Sequence, residues 1–474
     1  MTRCRPAAFV GVVALILACL TPVASAQVRD AAETFDAAWT IVRDSHFDPT
    51  MNGVDWNAVR VELRPRAAGA TTTGELRGII KDMLQRLGLS HFAVIASTDD
   101  APGLPADRSA DPGFDVRLVD DQLLVTRVDA DVTQVHPGWR VIKIGSTPVI
   151  ELLRALPLRP RGSSAGRPGS PHERPGGSVA ATSLESTAME RDRAGASDRI
   201  VNVEAWRIAQ TRLRGPVGTT VEIAFEDGNG QINTRALARR PDTGQPVTIG
   251  NLPTMFVRVE SARKQTPAGR TAGVIGFNAW MPAVDAPFQR AIDEFRTTDG
   301  IVIDLRGNPG GLALMLTGIS GHFVAERKTL GVMKTRDPEP LRFFANPRLV
   351  SAKGERVTPF SGPLAILVDA LSGSASECFT GGLQSIGRAR VFGQPSMGQA
   401  LPALFDRLPN GDVLIHAYGD FVTADGTRLE GRGVIPDEIQ PVRREELLAG
   451  RDRPLEAALA WIDRVKAGAV SQTP

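Results

Sequence analysis

Residues 364–379 read LAILVDALSGSASECF. The first six, LAILVD (364–369), are an apolar run closed by one acid, short enough for a strand buried on both faces. SGSASE (372–377) follows, and a helix then runs through Leu383. The same grammar holds upstream. IVIDL (301–305) is a second buried strand, and GNPGG (307–311) turns into a helix beginning near Leu312. Before them GVIGFNAW (273–280) reads as a strand, and Phe288, Ile292 and Phe295 mark a helix. Downstream come the strand ARVFG (389–393) and the hairpin LPNGD (408–412). Strands alternating with helices from about 253 to 441 predict an α/β core with a largely parallel sheet.

Outside that stretch the periodicity changes. Phe114, Val116 and Leu118 alternate, as do Leu123 and Val125 beyond the pair Asp120-Asp121, which predicts a hairpin. GWRVIKIGSTPV (138–149) and Val221, Ile223 and Phe225 before DGNG (227–230) add strands, so a small barrel is expected here. Residues 159–199 are rich in Arg, Pro, Gly, Ser and Ala and poor in large apolar residues, the composition of a flexible insertion. Nearer the start, Phe35, Ala38, Trp39 and Val42 form one helical stripe, and Leu76, Ile79, Ile80, Met83, Leu84 and Leu87 another. A small helical domain is expected over 27–100.

Residues 1–26 have the form of an export signal: Arg3 and Arg5, an apolar run from Ala8 to Leu20, and Ala24-Ser25-Ala26 before Gln27. That run is too short to span a bilayer, so a periplasmic or secreted chain without stable membrane insertion is expected. The whole chain carries a formal charge of +2, too balanced for a dedicated nucleic-acid binder. Of three cysteines, Cys4 and Cys19 lie in the signal, leaving Cys378 with no intrachain partner and too few thiols for a zinc cage.

Two turns could carry chemistry. Ser374 follows a buried strand and a glycine and precedes a helix, where unpaired N–H groups and the positive helix end can hold an oxyanion. Ser374 and Glu377 equally have the spacing of a capping box. In DLRGNPGG (304–311), Gly310 and Gly311 let backbone donors approach a ligand, and neither dinucleotide nor P-loop spacing is present. The six histidines include no H-x-x-x-H pair, so zinc has no positive support.

DLRGNPGG followed by SGSASE resembles the S41 family of tail-specific, C-terminal processing serine peptidases. DWNAVRVELRP (55–65) and DMLQRLGLSHF (82–92) are similar to its helical N-terminal region, and RLPNGDVL (407–414) and DGTRLEGRGVIPD (425–437) to its core. The resemblance implies a ClpP/crotonase-like core at 253–441, a PDZ-like domain at 104–245 interrupted at 159–199, and a helical tail at 442–474. It makes Ser374 the nucleophile, with the N–H of Ala375 and one of Gly310 and Gly311 as the oxyanion hole. The better-known branch places a lysine base where this chain has Gln399, and no Lys occurs from 354 to 465. The tricorn-like branch uses a Ser–His pair and a glutamate instead. Ser90, His91 and Glu430 stand at those positions, His91 as base with Ser90 and Glu430 orienting it. The resemblance therefore implies an endopeptidase for unfolded or C-terminal protein segments, requiring no metal or organic cofactor. Self-association is compatible with it, and so is a non-catalytic relative that binds peptide or an apolar ligand.

Overall fold

The computed structural model describes residues 30–96, 110–154, 156, 199–248 and 254–470. The signal-like segment and all but the last residue of the predicted insertion lie outside these. A six-stranded sheet organises the core, in the order Val259–Gln265, Thr271–Phe277, Gly300–Asp304, Leu364–Val368, Arg390–Gly393, Glu438–Ile439. Its first pair is antiparallel and every later pair parallel.

The apolar runs are continuous because both sheet faces are covered. Ile301, Ile303, Leu364, Ile366 and Val368 pack with Phe288, Ile292 and Phe295 of helix Asp285–Phe295 and with Phe379 and Leu383 of helix Ala375–Ser385. The alternate residues Val302, Ala365 and Leu367 face Ala458, Leu459 and Ile462 of the C-terminal helix Arg453–Val470. The segment expected as a tail is thus the sheet's second helical layer. Gly300 lets it sit close: a Cβ there would lie 2.6 Å from Ile462.

The second module is a sheet of antiparallel strands, Phe114–Val119, Gln122–Val128, Arg140–Ile144, Thr220–Glu226 and Ile232–Ala238, around its own apolar cluster. Asp120 and Asp121 both have positive φ (47° and 60°), the requirement of a two-residue turn that follows strand twist. A helix over 199–213 closes the barrel with Ala209 and Leu213, while Val201 and Ala205 pack beside Leu118.

Helices Ala31–Ser45, Trp56–Ala68 and Thr73–Gln85 make the N-terminal module. The indoles of Trp39 and Trp56 each donate to the other's carbonyl, at 2.8 and 3.1 Å. The module's apolar cluster takes in Leu408 and Leu414 from the core hairpin Ala403–Arg407/Val413–Ala417. Arg77 seals the same join with a bidentate bridge to the buried Asp412. Strand Ala93–Ile95 then pairs with Val413–Ala417, carrying the preceding residues to the core.

Candidate active site

Ser374 sits between strand Leu364–Val368 and helix Ala375–Ser385 with φ 52° and ψ −117°. Such a conformation costs a non-glycine residue about 1–3 kcal/mol and persists only when its surroundings enforce it. Here the Ser374 N–H donates both to the Gln399 carbonyl at 2.9 Å and to the Glu377 carboxylate at 3.0 Å. The glutamate half of the capping box their spacing suggested is thus present, while the Glu377 N–H donates to the Ser374 carbonyl at 2.9 Å.

Glu377 does more than cap. It is fully buried, and its two oxygens take bonds from the Ser396 hydroxyl (2.5 Å) and from the N–H groups of Gly398 (2.7 Å), Ser374 and Gln399 (both 3.0 Å). Burial pushes its carboxyl up to about 7, against which all four donors act. One side chain therefore fixes the serine turn to the 396–399 loop. Position 399 contributes its backbone here, an accepting carbonyl and a donating N–H.

The glycine loop is fastened to the same turn. Asn308 accepts from the Gly310 N–H on Oδ1 at 3.0 Å and donates from Nδ2 to the Phe277 carbonyl at 2.8 Å. Its own carbonyl accepts from the Gly373 N–H and the Ser376 hydroxyl, both at 3.0 Å. Gly310 has φ 107°, and a Cβ on it would lie 2.6 Å from the Cβ of Ser374. Among the described residues neither Gly311 nor Ala375 spends its N–H, whereas that of Gly310 is engaged by Asn308. Ala375 is also the first residue of its helix, where the positive dipole end favours anions.

His91 arrives just before strand Ala93–Ile95, with φ 59°, and Phe92 stacks on His46 at 5.6 Å. Its Nδ1 lies 2.8 Å from Ser90 Oγ. The Ser90 hydroxyl donates to Glu430 Oε2 at 2.9 Å, and the Ser90 N–H to Oε1 at 2.8 Å. A serine has one hydroxyl proton, so Ser90 Oγ must accept from His91 Nδ1–H. That leaves the lone pair on His91 Nε2. Glu430 Oε2 also accepts the Ala400 N–H at 3.0 Å, one residue beyond the carbonyl that holds Ser374. Burial raises the Glu430 carboxyl and pushes the His91 imidazole down to about 4, so His91 is neutral at pH 7.

Ser374 and His91 are thus tied only indirectly, through the Gln399 carbonyl, the peptide bond to Ala400, Glu430 and Ser90, and no hydrogen bond joins Ser374 Oγ to the imidazole among the described residues. Two supports escaped the sequence. Asp369 accepts from Gly307 N–H (2.8 Å) and Leu371 N–H (3.0 Å) and bridges to Arg117 of the second module at 3.0 Å. It lies beside a cleft of about 440 Å³ lined by Arg117, Arg306, Gly307 and Asp369, at the carboxyl ends of the parallel strands. A polar residue closing a buried strand was the available signal for Asp369, and the GNPGG motif for Asn308.

A second Ser–His–Asp string is present: Ser45 Oγ to His416 Nδ1 and His416 Nε2 to Asp406, both 2.7 Å. Ser45 gives its proton to the Ile41 carbonyl at 2.7 Å, inside its own helix. This string fastens a helix end to the hairpin and has no activated hydroxyl. Among the described residues no cluster of three His, Cys, Asp or Glu could hold a metal, and no helix is long and apolar enough to cross a membrane.

Residues 271–439 match the model of peptidase family S41, and residues 28–85 that of the tricorn protease C1 domain. The chain is 24% identical to the chloroplastic carboxyl-terminal-processing peptidase 3 of Arabidopsis thaliana, over 87% of this chain and 69% of that protein. It is 33% identical to a probable CtpA-like serine protease of Staphylococcus aureus strain COL, over 29% of this chain but 26% of that protein. The photosystem II D1 C-terminal processing protease shares its fold with a TM-score of 0.53 at 18% identity, over 91% of this chain and 97% of that one.

Proposed function

Since the chain belongs to peptidase family S41, we propose that it is an exported serine endopeptidase working through an acyl-enzyme on Ser374, with His91 as base. The observation that carries this reading is the ordering of Glu430, Ser90 and His91, which leaves a neutral imidazole with its lone pair on Nε2. In the first step the Ser374 hydroxyl proton passes to Nε2 as Oγ bonds to the scissile carbonyl carbon. The Ala375 N–H, with the N–H of Gly311, which unlike that of Gly310 is not held by Asn308, stabilises the oxyanion. Collapse breaks the C–N bond, and the proton on Nε2 leaves with the amine. Water, deprotonated by the same nitrogen, then cleaves the ester and returns the proton to Ser374. Charge on the imidazolium is relayed through Ser90 to Glu430, so position 399 needs no amine. The second module is proposed to be PDZ-like and to hold unfolded or C-terminal segments by strand addition.

A fluorophosphonate probe tests this directly. Peptide mapping is expected to find the adduct on Ser374, and none in Ser374→Ala. An unlabelled protein that still bound unfolded peptide would instead be a non-catalytic relative.

The acidity of His91 gives a second test. A base works only unprotonated, so kcat/KM falls as pH drops through the imidazole pKa. With that value near 4, His91 itself stays unprotonated from pH 7.5 to 5.5, and a fall in activity over that window is expected to come from Glu377, whose carboxyl sits at about 7, and to be absent in Glu377→Gln. An acid limb centred near 6.5, the value of an unburied histidine, that persists in Glu377→Gln would rule out a desolvated His91 as base.

A further inference from the structure

Strand Ala403–Arg407 is the outer edge of the sheet ordered Ala93–Ile95, Val413–Ala417, Ala403–Arg407. Its register sets Leu404 opposite His416 and Asp406 opposite Leu414. Two flanking bonds, Tyr418 N–H to Pro402 carbonyl (3.0 Å) and Leu408 N–H to Asp412 carbonyl (2.8 Å), show which pairs exchange hydrogen bonds. In an antiparallel ladder these alternate, so Leu404 and Asp406 turn their amides inward to the hairpin partner. Ala403 and Phe405 therefore point theirs outward, where no strand among the described residues pairs with them.

The side chains at this edge are unusual for one left open. Protein edges are normally blunted by charge or proline. Here Leu404 and Phe405 are 46% and 43% exposed, one on each face, and Asp406 is held by His416. The strand also leads straight out of the catalytic loop. Gln399 holds the Ser374 N–H, Ala400 holds Glu430, and Phe405 follows six residues after Gln399, within about 20 Å along an extended chain.

We propose that an extended segment of the polypeptide substrate adds to this edge as a further strand. Ala403 and Phe405 supply the main-chain bonds, and Leu404 and Phe405 contact apolar substrate residues on the two faces. The proposal rests on the peptidase reading for its choice of occupant. It predicts a preference for neighbouring apolar residues, one for each face, at a distance of several positions from the scissile bond.

The test measures binding rather than turnover, so that the two readings fail separately. Full-length Ser374→Ala protein is titrated against a fluorescein-labelled decapeptide in which pairs of leucine alternate with pairs of serine, followed by anisotropy. Introducing Leu404→Ser and Phe405→Ser is expected to weaken binding about tenfold or more, the scale of losing one or two buried apolar contacts. Should that variant fail to fold, the unaltered edge is tested with the peptide N-methylated at every second residue. Methylation in one of the two phases is expected to abolish binding, because one phase carries the amides that face the edge. Equal binding by both methylated phases and the parent peptide overturns the proposal, as does undiminished binding by the folded double variant. Failure of fluorophosphonate to label Ser374 bears on catalysis alone.

Discussion

Replacing His91 by asparagine lowers kcat/KM by roughly a thousandfold or more, while the protein still folds. General acid–base catalysis by a positioned side chain contributes about 10²–10⁴, and in the proposed mechanism one imidazole serves both acylation and deacylation. Asparagine is the informative substitution because His91 has φ 59°, a region that asparagine tolerates better than alanine. Loss of peptide hydrolysis alongside an unchanged melting temperature assigns His91 to chemistry. If His91→Asn retained full turnover, the proton would have to be taken by another group, and the Glu430–Ser90–His91 string would be structural. Glu430→Gln sharpens the result, since Ser90 N–H, Ser90 O–H and Ala400 N–H all donate to that carboxylate. An amide nitrogen in place of one oxygen would face a donor, so a smaller loss in the same direction is expected.

Gly310→Ala is expected to cost about 10²–10³ in kcat, the scale on which loss of an oxyanion donor is felt. The added Cβ would fall 2.6 Å from the Cβ of Ser374, 2.8 Å from the Gly373 carbonyl oxygen and 3.0 Å from the Ala375 nitrogen. None of these is the end of a flexible side chain, so the serine turn itself must shift. The φ of 107° is a further penalty for any L side chain. Gly318→Ala is the matched control: it lies in helix Met315–Ser320 with open space around its Cβ position, and activity should persist. Comparable losses in both variants would mean that the glycine loop tolerates nothing anywhere near it, and the oxyanion assignment would lose its support.

The candidate catalytic residues were legible because their types are unusual where they stand. A serine after a buried strand and a glycine, two glycines at a strand end, and S-H before a strand are local signals. What joins them is not local. Ser90 meets Glu430 across 340 positions, and Arg117 meets Asp369 across 252; no spacing rule reaches that far. Glu377 was legible as a cap, but its bonds to Ser396, Gly398 and Gln399 depend on a loop returning beside it. Helix 199–213 had a signal, since Val201, Ala205, Ala209 and Leu213 recur every fourth residue and are buried. Its place directly after a stretch of low-complexity composition hid it. The C-terminal helix shows a different limit: its amphipathic face was readable, but the sheet face it would cover could not be known before the topology.

The pairing of strand Ala93–Ile95 with the core hairpin divides the groups of the proposed mechanism between two bodies. The nucleophile belongs to the sheet, and the base is delivered by the helical module that precedes it. A chain whose core has formed but whose N-terminal helices have not yet docked owns a serine with nothing to deprotonate it.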